Sequence, residues 1–425
     1  MQKKVSKNFK TLNGEITIPA DKSISHRAVI FASLADGIST IRNFSDGQDP
    51  KSTLNIFRKL GVDIDIINKS TVIINSKSKL LPPPNSLDCG NSGTSMRLIS
   101  GILARQKFDS ILIGDQSLSK RPMKRIIEPL TLMGADIQSK NNTAPLIIKG
   151  KTLQPINYKT PKASAQVKSC ILLAGLGTEG KTTITEPYLS RNHTEIMLKY
   201  MGADIQTEGN SVSISKSKLS PIDIEICGDI SSAAYFIAAA LIIPDSKVIL
   251  KNVGLNPTRT GMLDILKQMG ADIKILDEIE ICGEKTGTLE VKYSNLKCCE
   301  ISGEIIPRLI DEIPIIAVLA TQAQGQTIIK DAQELRNKES DRITAVVTEL
   351  RKLGADIEET PDGMIINGKT DLFGDCEVET YHDHRLAMSL YVAGLICKKE
   401  ILINRFQWVN ISFPKFEKLF DTLKV

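Results

Sequence analysis

The phrase "MGADI" stands at residues 133–137, 201–205 and 269–273, with close copies "LGVDI" at 60–64 and "LGADI" at 353–357. Its glycines, Gly61, Gly134, Gly202, Gly270 and Gly354, are separated by steps of 73, 68, 68 and 84 residues. Those steps exceed the period of common solenoid repeats. Each copy follows an amphipathic stretch such as "TEIMLKYM" or "MLDILKQM". The glycine therefore reads as the left-handed residue just past a helix end, and "ADI" as the strand that leaves it. Whatever this chain folds into must be built from copies of one helix, turn and strand unit.

Reading upstream extends the unit. A strand-like run precedes each amphipathic helix: "STIRNF" from 39, "SILIGD" from 110, "TTITEP" from 182, "KVILKN" from 247 and "QTIIKD" from 326. A sixth, "EILINR" from 400, leads into "FPKFEKLFDTLKV", which carries the helix but ends before the glycine and strand. A second kind of helix occurs once per unit: "SISHRAVIFASLADG", "GTSMRLISGILARQ", "SAQVKSCILLAGLG", "DISSAAYFIAAALII", "DEIPIIAVLATQAQG" and "DHRLAMSLYVAGLI". These are apolar on nearly every side and rich in small residues, which predicts helices buried on most faces and closely packed.

One buried and one amphipathic helix per unit, with strands between, predicts an α+β layered domain. Three units per domain give two similar domains. The cut sixth unit assigns 1–20 together with 229–425 to one domain, completed by the amino-terminal strand "GEITIP", and 21–228 to an inserted one, with a hinge near 20 and 228. A continuous six-unit solenoid is the alternative, but its buried helices are too apolar for a wet side.

The 425 residues are enough for two cores, so a disulfide framework is unnecessary. The eight cysteines show no CxxC spacing, which fits reduced, structural thiols in a cytoplasmic protein. The amino terminus is basic but lacks an apolar core segment, and no run approaches a membrane span. A net charge of +5 and only 4% aromatics argue against a nucleic-acid partner. A monomer is expected.

The basic residues are concentrated locally. The buried helices begin with Lys22, Ser23 and Arg27; with Asn91, Ser92, Thr94 and Arg97; with Ser164, Gln166 and Lys168; and with His384 and Arg385. The amphipathic ones are entered through Lys120 and Arg121, Arg191, Arg259, and the run "KESDR" from Lys338 to Arg342. Cations in a first turn oppose the helix dipole by about 0.3 to 1 kcal/mol each. An anionic ligand reverses that sign, because free backbone N–H groups and cationic side chains then converge on it. The recurrence predicts a cleft for a multiply anionic small molecule. Asp311 and Glu312 in "DEIP" read either as an ordinary helix cap or as working carboxylates. On a helical count Glu339 shares a face with Arg342 at i+3 and Lys338 meets Arg342 at i+4. Such neighbours favour a charged carboxylate fit for proton exchange, though a surface ion-pair cluster has the same composition. Arg336 and Asp341 read as ordinary solvated charges. "HDH" at 382–384 lacks a matching ligand set, and "GTEGKTT" at 177–183 lacks phosphate-loop spacing and leads into a strand.

Seven motifs then carry a resemblance: "DKSISHR" at 21–27, "GNSGTSMR" at 90–97, "KRPM" at 120–123, "SAQVKS" at 164–169, "DEIP" at 311–314, "KESDR" at 338–342 and "DHRLAMS" at 383–389. In order and spacing, over essentially the whole chain, they resemble the 5-enolpyruvylshikimate-3-phosphate synthase family. The resemblance implies two similar domains, each of three βαβαββ units around parallel buried helices, with the active site in the interdomain cleft. It implies transfer of the enolpyruvyl group of phosphoenolpyruvate to the 5-hydroxyl of shikimate 3-phosphate, with no metal and no cofactor. Glu339 then looks like the acid and base at C3, Asp311 the group that orients and deprotonates the hydroxyl, and Lys22 a catalytic contact to both substrates. Lys22, Gly93, Thr94, Arg121, Gln166, Arg342 and Arg385 resemble the phosphoenolpyruvate site. Lys22, Ser23, Arg27, Ser164, Ala165, Gln166, Arg191, Asp311 and Lys338 resemble the shikimate 3-phosphate site.

Some members carry Lys before a "TFP" triplet where this chain has Ile411 in "NISFP". "SAQVKS" and "SRNHTE" resemble the family's second class, whose members are often less sensitive to glyphosate, whereas Gly93 keeps the small residue that leaves room for that inhibitor. The sister enzyme acting on a UDP-sugar characteristically has Lys-Asn where Lys22-Ser23 stands and a cysteine in the loop here reading "GDQSLSKRP". An idle anion-binding repeat protein would have little use for Asp311 and Glu339.

Overall fold

The computed structural model describes residues 1–68 and 70–425, which divide into two compact units. One comprises Met1–Pro19, Cys227–Glu280 and Lys285–Val425; the other, the inserted unit, comprises Ala20–Ile226 with Ile281–Glu284.

The inserted unit contains three four-stranded sheets of one pattern, in which a leading strand lies parallel to a central one and an antiparallel hairpin follows on its other side. Leu87–Asp88, Ser110–Ile113, Leu146–Lys149 and Asp136–Gln138 form one in that order. Asn157–Lys159, Lys181–Thr185, Ser211–Ser215 and Ile205–Glu208 form the next. In the first sheet of the unit the leading place is taken by Asp223–Glu225, from the far end of the segment, beside Asp36–Arg42.

The other unit repeats the pattern with the amino terminus supplying two of its strands. Asn13–Thr17, the "GEIT" strand, is parallel to Lys247–Gly254 and leads the fourth sheet. Glu300–Ile301 leads the fifth, beside Gly325–Ile329. The cut sixth sheet has three strands, and Lys3–Val5 pairs antiparallel with Ile401–Asn404 where a hairpin strand stands elsewhere. Around its helix Phe416–Leu423 the missing strand gives way to aromatics: Phe420 stacks on Phe236 at 4.4 Å, and Phe416 meets Tyr391 at 5.2 Å.

The repeated glycines do what the pattern demands. Gly61, Gly134, Gly202, Gly270 and Gly354 all have positive φ, between 83° and 95°, each directly after the capping residue of its helix. At Gly134 and Gly270 an added Cβ would meet nothing within 4 Å, so conformation and not space selects glycine there.

The six core helices are Lys22–Ala32, Gly93–Leu103, Ala165–Gly175, Ile230–Ile242, Ile313–Gln322 and His384–Gly394. Their small residues allow close approach: a Cβ at Gly101 would lie 2.1 Å from the Cys170 carbonyl oxygen of the neighbouring helix. Five are capped by the side chain before them, Asp21, Ser92, Ser164, Asp229 and Asp383. Each such cap contributes about 1 kcal/mol. The sixth begins differently, with Glu312 at the cap position and no side-chain cap bond. Among the described residues no helix is long and apolar enough to cross a membrane, and no acidic, His or Cys cluster is placed to hold a metal ion. The eight cysteines are free, four buried and four half-buried.

Candidate active site

In the inserted unit the polar residues collect at the starts of three core helices. Lys22 is the first residue of its helix, and its ammonium lies 3.1 Å from Asp49 Oδ2. Arg27, one turn on, is buried; it donates to Thr194 Oγ1 at 2.7 Å, to Ser169 Oγ at 3.0 Å and to the carbonyl of Ser23 at 3.0 Å. Burial lowers its pKa to about 10, against the opposing effect of Glu195 and Asp21, and the charge of Arg191 adds to the depression.

Gly93 and Thr94 open the second helix behind the Ser92 cap. A Cβ on Gly93 would come within 2.6 Å of Arg97 Nη1 and 3.6 Å of Arg121 Nη1, so two guanidinium groups converge on this bare backbone. Arg97 donates to Gln166 Oε1 at 2.6 Å, and Gln166 donates to Thr94 Oγ1 at 3.1 Å, joining the second helix to the third. Arg121 donates to Asn91 Oδ1 at 2.8 Å and to Ser117 Oγ at 3.2 Å. Ser164 caps the third helix ahead of Ala165, and its N–H donates to Glu186 Oε1 at 2.8 Å.

In the other unit Arg342 gathers the carboxylates. Its Nε donates to Asp383 Oδ2 at 2.7 Å, Nη2 to Glu339 Oε2 at 2.6 Å and Nη1 to Asp311 Oδ1 at 3.2 Å. Burial alone would depress the Arg342 guanidinium, but Asp383, Glu339 and Asp311 together hold it above its ordinary value. Asp311 also lies 3.5 Å from Arg385 Nη2 and 3.8 Å from Lys338 Nζ, and its carbonyl accepts from Arg385 at 3.2 Å. Burial likewise works against the Arg385 charge, and Asp311 leads the groups that keep it protonated. Three carboxylates, Asp311, Glu339 and Asp383, and three cations, Lys338, Arg342 and Arg385, thus share one cluster.

Several expectations change. Lys338 and Glu339 are not on a helix: Asp341 caps the helix Arg342–Lys352, and Lys338 is extended after the short turn Gln333–Asn337. The Glu339–Arg342 pair forms all the same, from a loop folded back on the helix start. Arg336 is structural, bonded to Asp341, Glu359 and the carbonyl of Thr360. Asp311 does not cap its helix, and Glu312 turns inward to accept from Ser231 Oγ. Two of the cations at helix starts also turn inward: Arg259 onto Asp229 and Ser231, and Lys168 onto Glu186 and Glu195. Ile411 ends a short turn, Phe406–Ile411, and brings no charge there. The "HDH" side chains part company, His382 toward Trp408 and Arg405, Asp383 onto Arg342.

The sequence reading missed Asp49, Asp383 and Glu186 as the partners of proposed site residues. Asp383 had a usable signal, since an aspartate two residues before an arginine at a helix start is a cap able to turn toward a second cation.

A family model described as EPSP synthase (3-phosphoshikimate 1-carboxyvinyltransferase) matches residues 6–420. A 3-phosphoshikimate 1-carboxyvinyltransferase of Thermodesulfovibrio yellowstonii is 52% identical over 428 residues, covering 99% of each chain. One of Bacillus subtilis is 51% identical over 411 residues, covering 96% of each. Among solved structures, EPSP synthase from Acinetobacter baumannii superposes with a TM-score of 0.89 at 44% identity, over 100% of this chain and 98% of that one. An enolpyruvyl transferase of Streptomyces tendae shares the fold, with a TM-score of 0.80 at 17% identity over 99% of this chain and 96% of that one.

Proposed function

We propose a division of labour for a chain that, by its match along residues 6–420, belongs to the EPSP synthase family. The enzyme transfers the enolpyruvyl group of phosphoenolpyruvate to the 5-hydroxyl of shikimate 3-phosphate and releases phosphate. In that reaction C3 of the enol gains a proton, the hydroxyl oxygen adds to C2, and the tetrahedral adduct loses phosphate as C3 gives its proton back.

Glu339 is the group that gives and retakes the C3 proton, and Asp311 orients and deprotonates the 5-hydroxyl. The observation that carries this reading is the single guanidinium of Arg342, bonded to both carboxylates. When phosphoenolpyruvate claims donors of Arg342 and Arg385, Glu339 gives up part of its bond to the Arg342 guanidinium. The carboxyl is then released toward the enol as it arrives, which suits an acid and base at C3. Lys22 touches both substrates; Arg121, Arg342 and Arg385, with Gly93, Thr94 and Gln166, hold phosphoenolpyruvate. Ser23, Arg27, Ser164, Ala165, Gln166, Arg191 and Lys338, with Asp311, hold shikimate 3-phosphate. Gathering this many cations offsets the repulsion between two phosphorylated anions.

Glu339→Gln is expected to cut turnover by about 10²-fold or more with the KM for shikimate 3-phosphate little changed. Phosphate release within about threefold of the parent enzyme would remove Glu339 from the chemistry. We also take the enzyme to work in the cytoplasm, a reading its free cysteines support, and as a monomer without nucleic-acid or membrane partners. Light scattering at twice the chain mass would overturn the monomer.

A further inference from the structure

Lys168 lies one turn into a core helix whose first residues are proposed to hold substrate, yet its ammonium turns away from them. It sits 2.9 Å from Glu186 Oε2 and 2.7 Å from Glu195 Oε1, with side-chain exposures of 1%, 2% and 7% for the three residues, and the carbonyl of Ser190 lies 3.4 Å away. A buried cation between two carboxylates is costly to assemble, and removing one member leaves uncompensated charge in the interior. The triad therefore holds its three elements in one arrangement.

Each of those elements carries or braces a residue proposed to hold shikimate 3-phosphate. Glu186, just past the strand Lys181–Thr185, accepts from the N–H of Ser164 at 2.8 Å through Oε1. Through Oε2 it accepts from Ser190 Oγ at 2.7 Å and Ser190 N at 3.3 Å, fixing the residue before Arg191. Glu195 belongs to the helix His193–Tyr200, whose Thr194 accepts from Arg27 Nε at 2.7 Å and meets Ser169 at 2.6 Å. The other oxygen of Glu195, Oε2, is buried without a hydrogen-bond partner. Glu195 is also the first of the charges that favour the protonated form of Arg27.

We propose that Lys168 is a positioning residue for the phosphorylated acceptor: by clamping Glu186 and Glu195 it sets the spacing of Ser164, Arg191 and Arg27, and with it the preference for an acceptor that carries a phosphate. This rests on the acceptor site proposed above. Phosphoenolpyruvate, assigned mainly to other residues, should scarcely notice the change.

The test is steady-state kinetics with shikimate 3-phosphate and with unphosphorylated shikimate as acceptors. Lys168→Met is expected to raise the KM for shikimate 3-phosphate about tenfold, leaving kcat and the KM for phosphoenolpyruvate within about threefold. The preference in kcat/KM for the phosphorylated acceptor should fall by about the same tenfold factor, and Lys168→Arg should restore most of it. Glu186→Gln, nearly isosteric, is expected to act in the same direction and serves if Lys168→Met does not fold. Equal losses with both acceptors, or a lowered melting temperature with the preference intact, would overturn the inference. Arg191→Met separates the two levels. If it leaves the acceptor KM unchanged, the site reading and this inference fall together; if it raises that KM while Lys168→Met and Glu186→Gln do not, only this inference falls.

Discussion

Arg121 and Arg342 both stand at the entrance to an outer helix, one in each unit, and their surroundings differ in kind. Arg121 donates to the amide of Asn91 and the hydroxyl of Ser117, and nearby Arg97 donates to the amide of Gln166. Arg342 donates to three carboxylates, Asp383, Glu339 and Asp311. A guanidinium held by neutral groups keeps its field for an incoming anion. One held by carboxylates instead keeps them aimed, and yields part of its bonding only when a stronger anion competes. On the roles proposed above, the inserted unit attracts the anions and the other holds the proton-exchanging groups ready.

The sharpest way to break this contrast is Arg342→Met. It strands buried Asp383 beside Glu339 and Asp311, and should cost about 3 to 5 kcal/mol of stability as well as turnover. Arg121→Met removes its bonds to two neutral groups, Asn91 and Ser117, so a loss of about 1 kcal/mol is expected in thermal unfolding. Its larger effect should be on phosphoenolpyruvate, with KM rising by about ten- to a hundredfold for a lost charge-assisted contact. Should the two variants unfold alike, the distinction between the units is wrong.

Acid should separate the units as well. His26 is fully buried in the inserted unit, its Nδ1 within 2.7 Å of Thr53 Oγ1, and burial followed by Lys22 and Arg27 pushes its pKa well below the ordinary value. Above about pH 6.5 the imidazole is neutral whether folded or not. Below that the unfolded chain takes up a proton the folded one refuses, so stability falls by up to about 1.4 kcal/mol per pH unit. Burial would raise the pKa of Asp383, but Arg342 prevails and holds it below the usual carboxylate range. Its contribution is present above its unfolded pKa and disappears only as pH falls through that lowered value. Hydrogen exchange in the inserted unit should therefore accelerate at milder acidity than the loss of structure reported by Trp408, the single tryptophan, in the other. His26→Gln should flatten the first response, and an unchanged slope would remove His26 as its cause.

The smallest expected effect is that of Gly93→Ala. The new methyl meets the flexible end of Arg97 at 2.6 Å, which can shift but only by disturbing its bond to Gln166. A rise of about threefold in the KM for phosphoenolpyruvate, with melting temperature unchanged, would place Gly93 at that substrate; no rise would move it away.

What the residue pattern determined by itself was the unit: the glycine after each outer helix, the strand beyond it, the small apolar faces of the core helices and the polar residues at their starts. These follow from local physics, because a left-handed turn, a cap or an apolar face is decided within a few neighbouring residues. Only the tertiary structure decided which chain end completes which sheet, with Lys3–Val5 in the sixth and Asn13–Thr17 in the fourth. It also decided where each charge is directed. Arg342 meets Asp383 across 41 residues and Asp311 across 31, and the Lys168 ammonium turns inward to Glu186 on a different element. A side chain's local spacing constrains its own backbone, but its charge is answered by whatever the fold brings alongside. For that reason Arg121 and Lys168 looked alike as cations at helix starts, yet the fold bonds one to the amide of Asn91 and the hydroxyl of Ser117 and sets the other between two carboxylates.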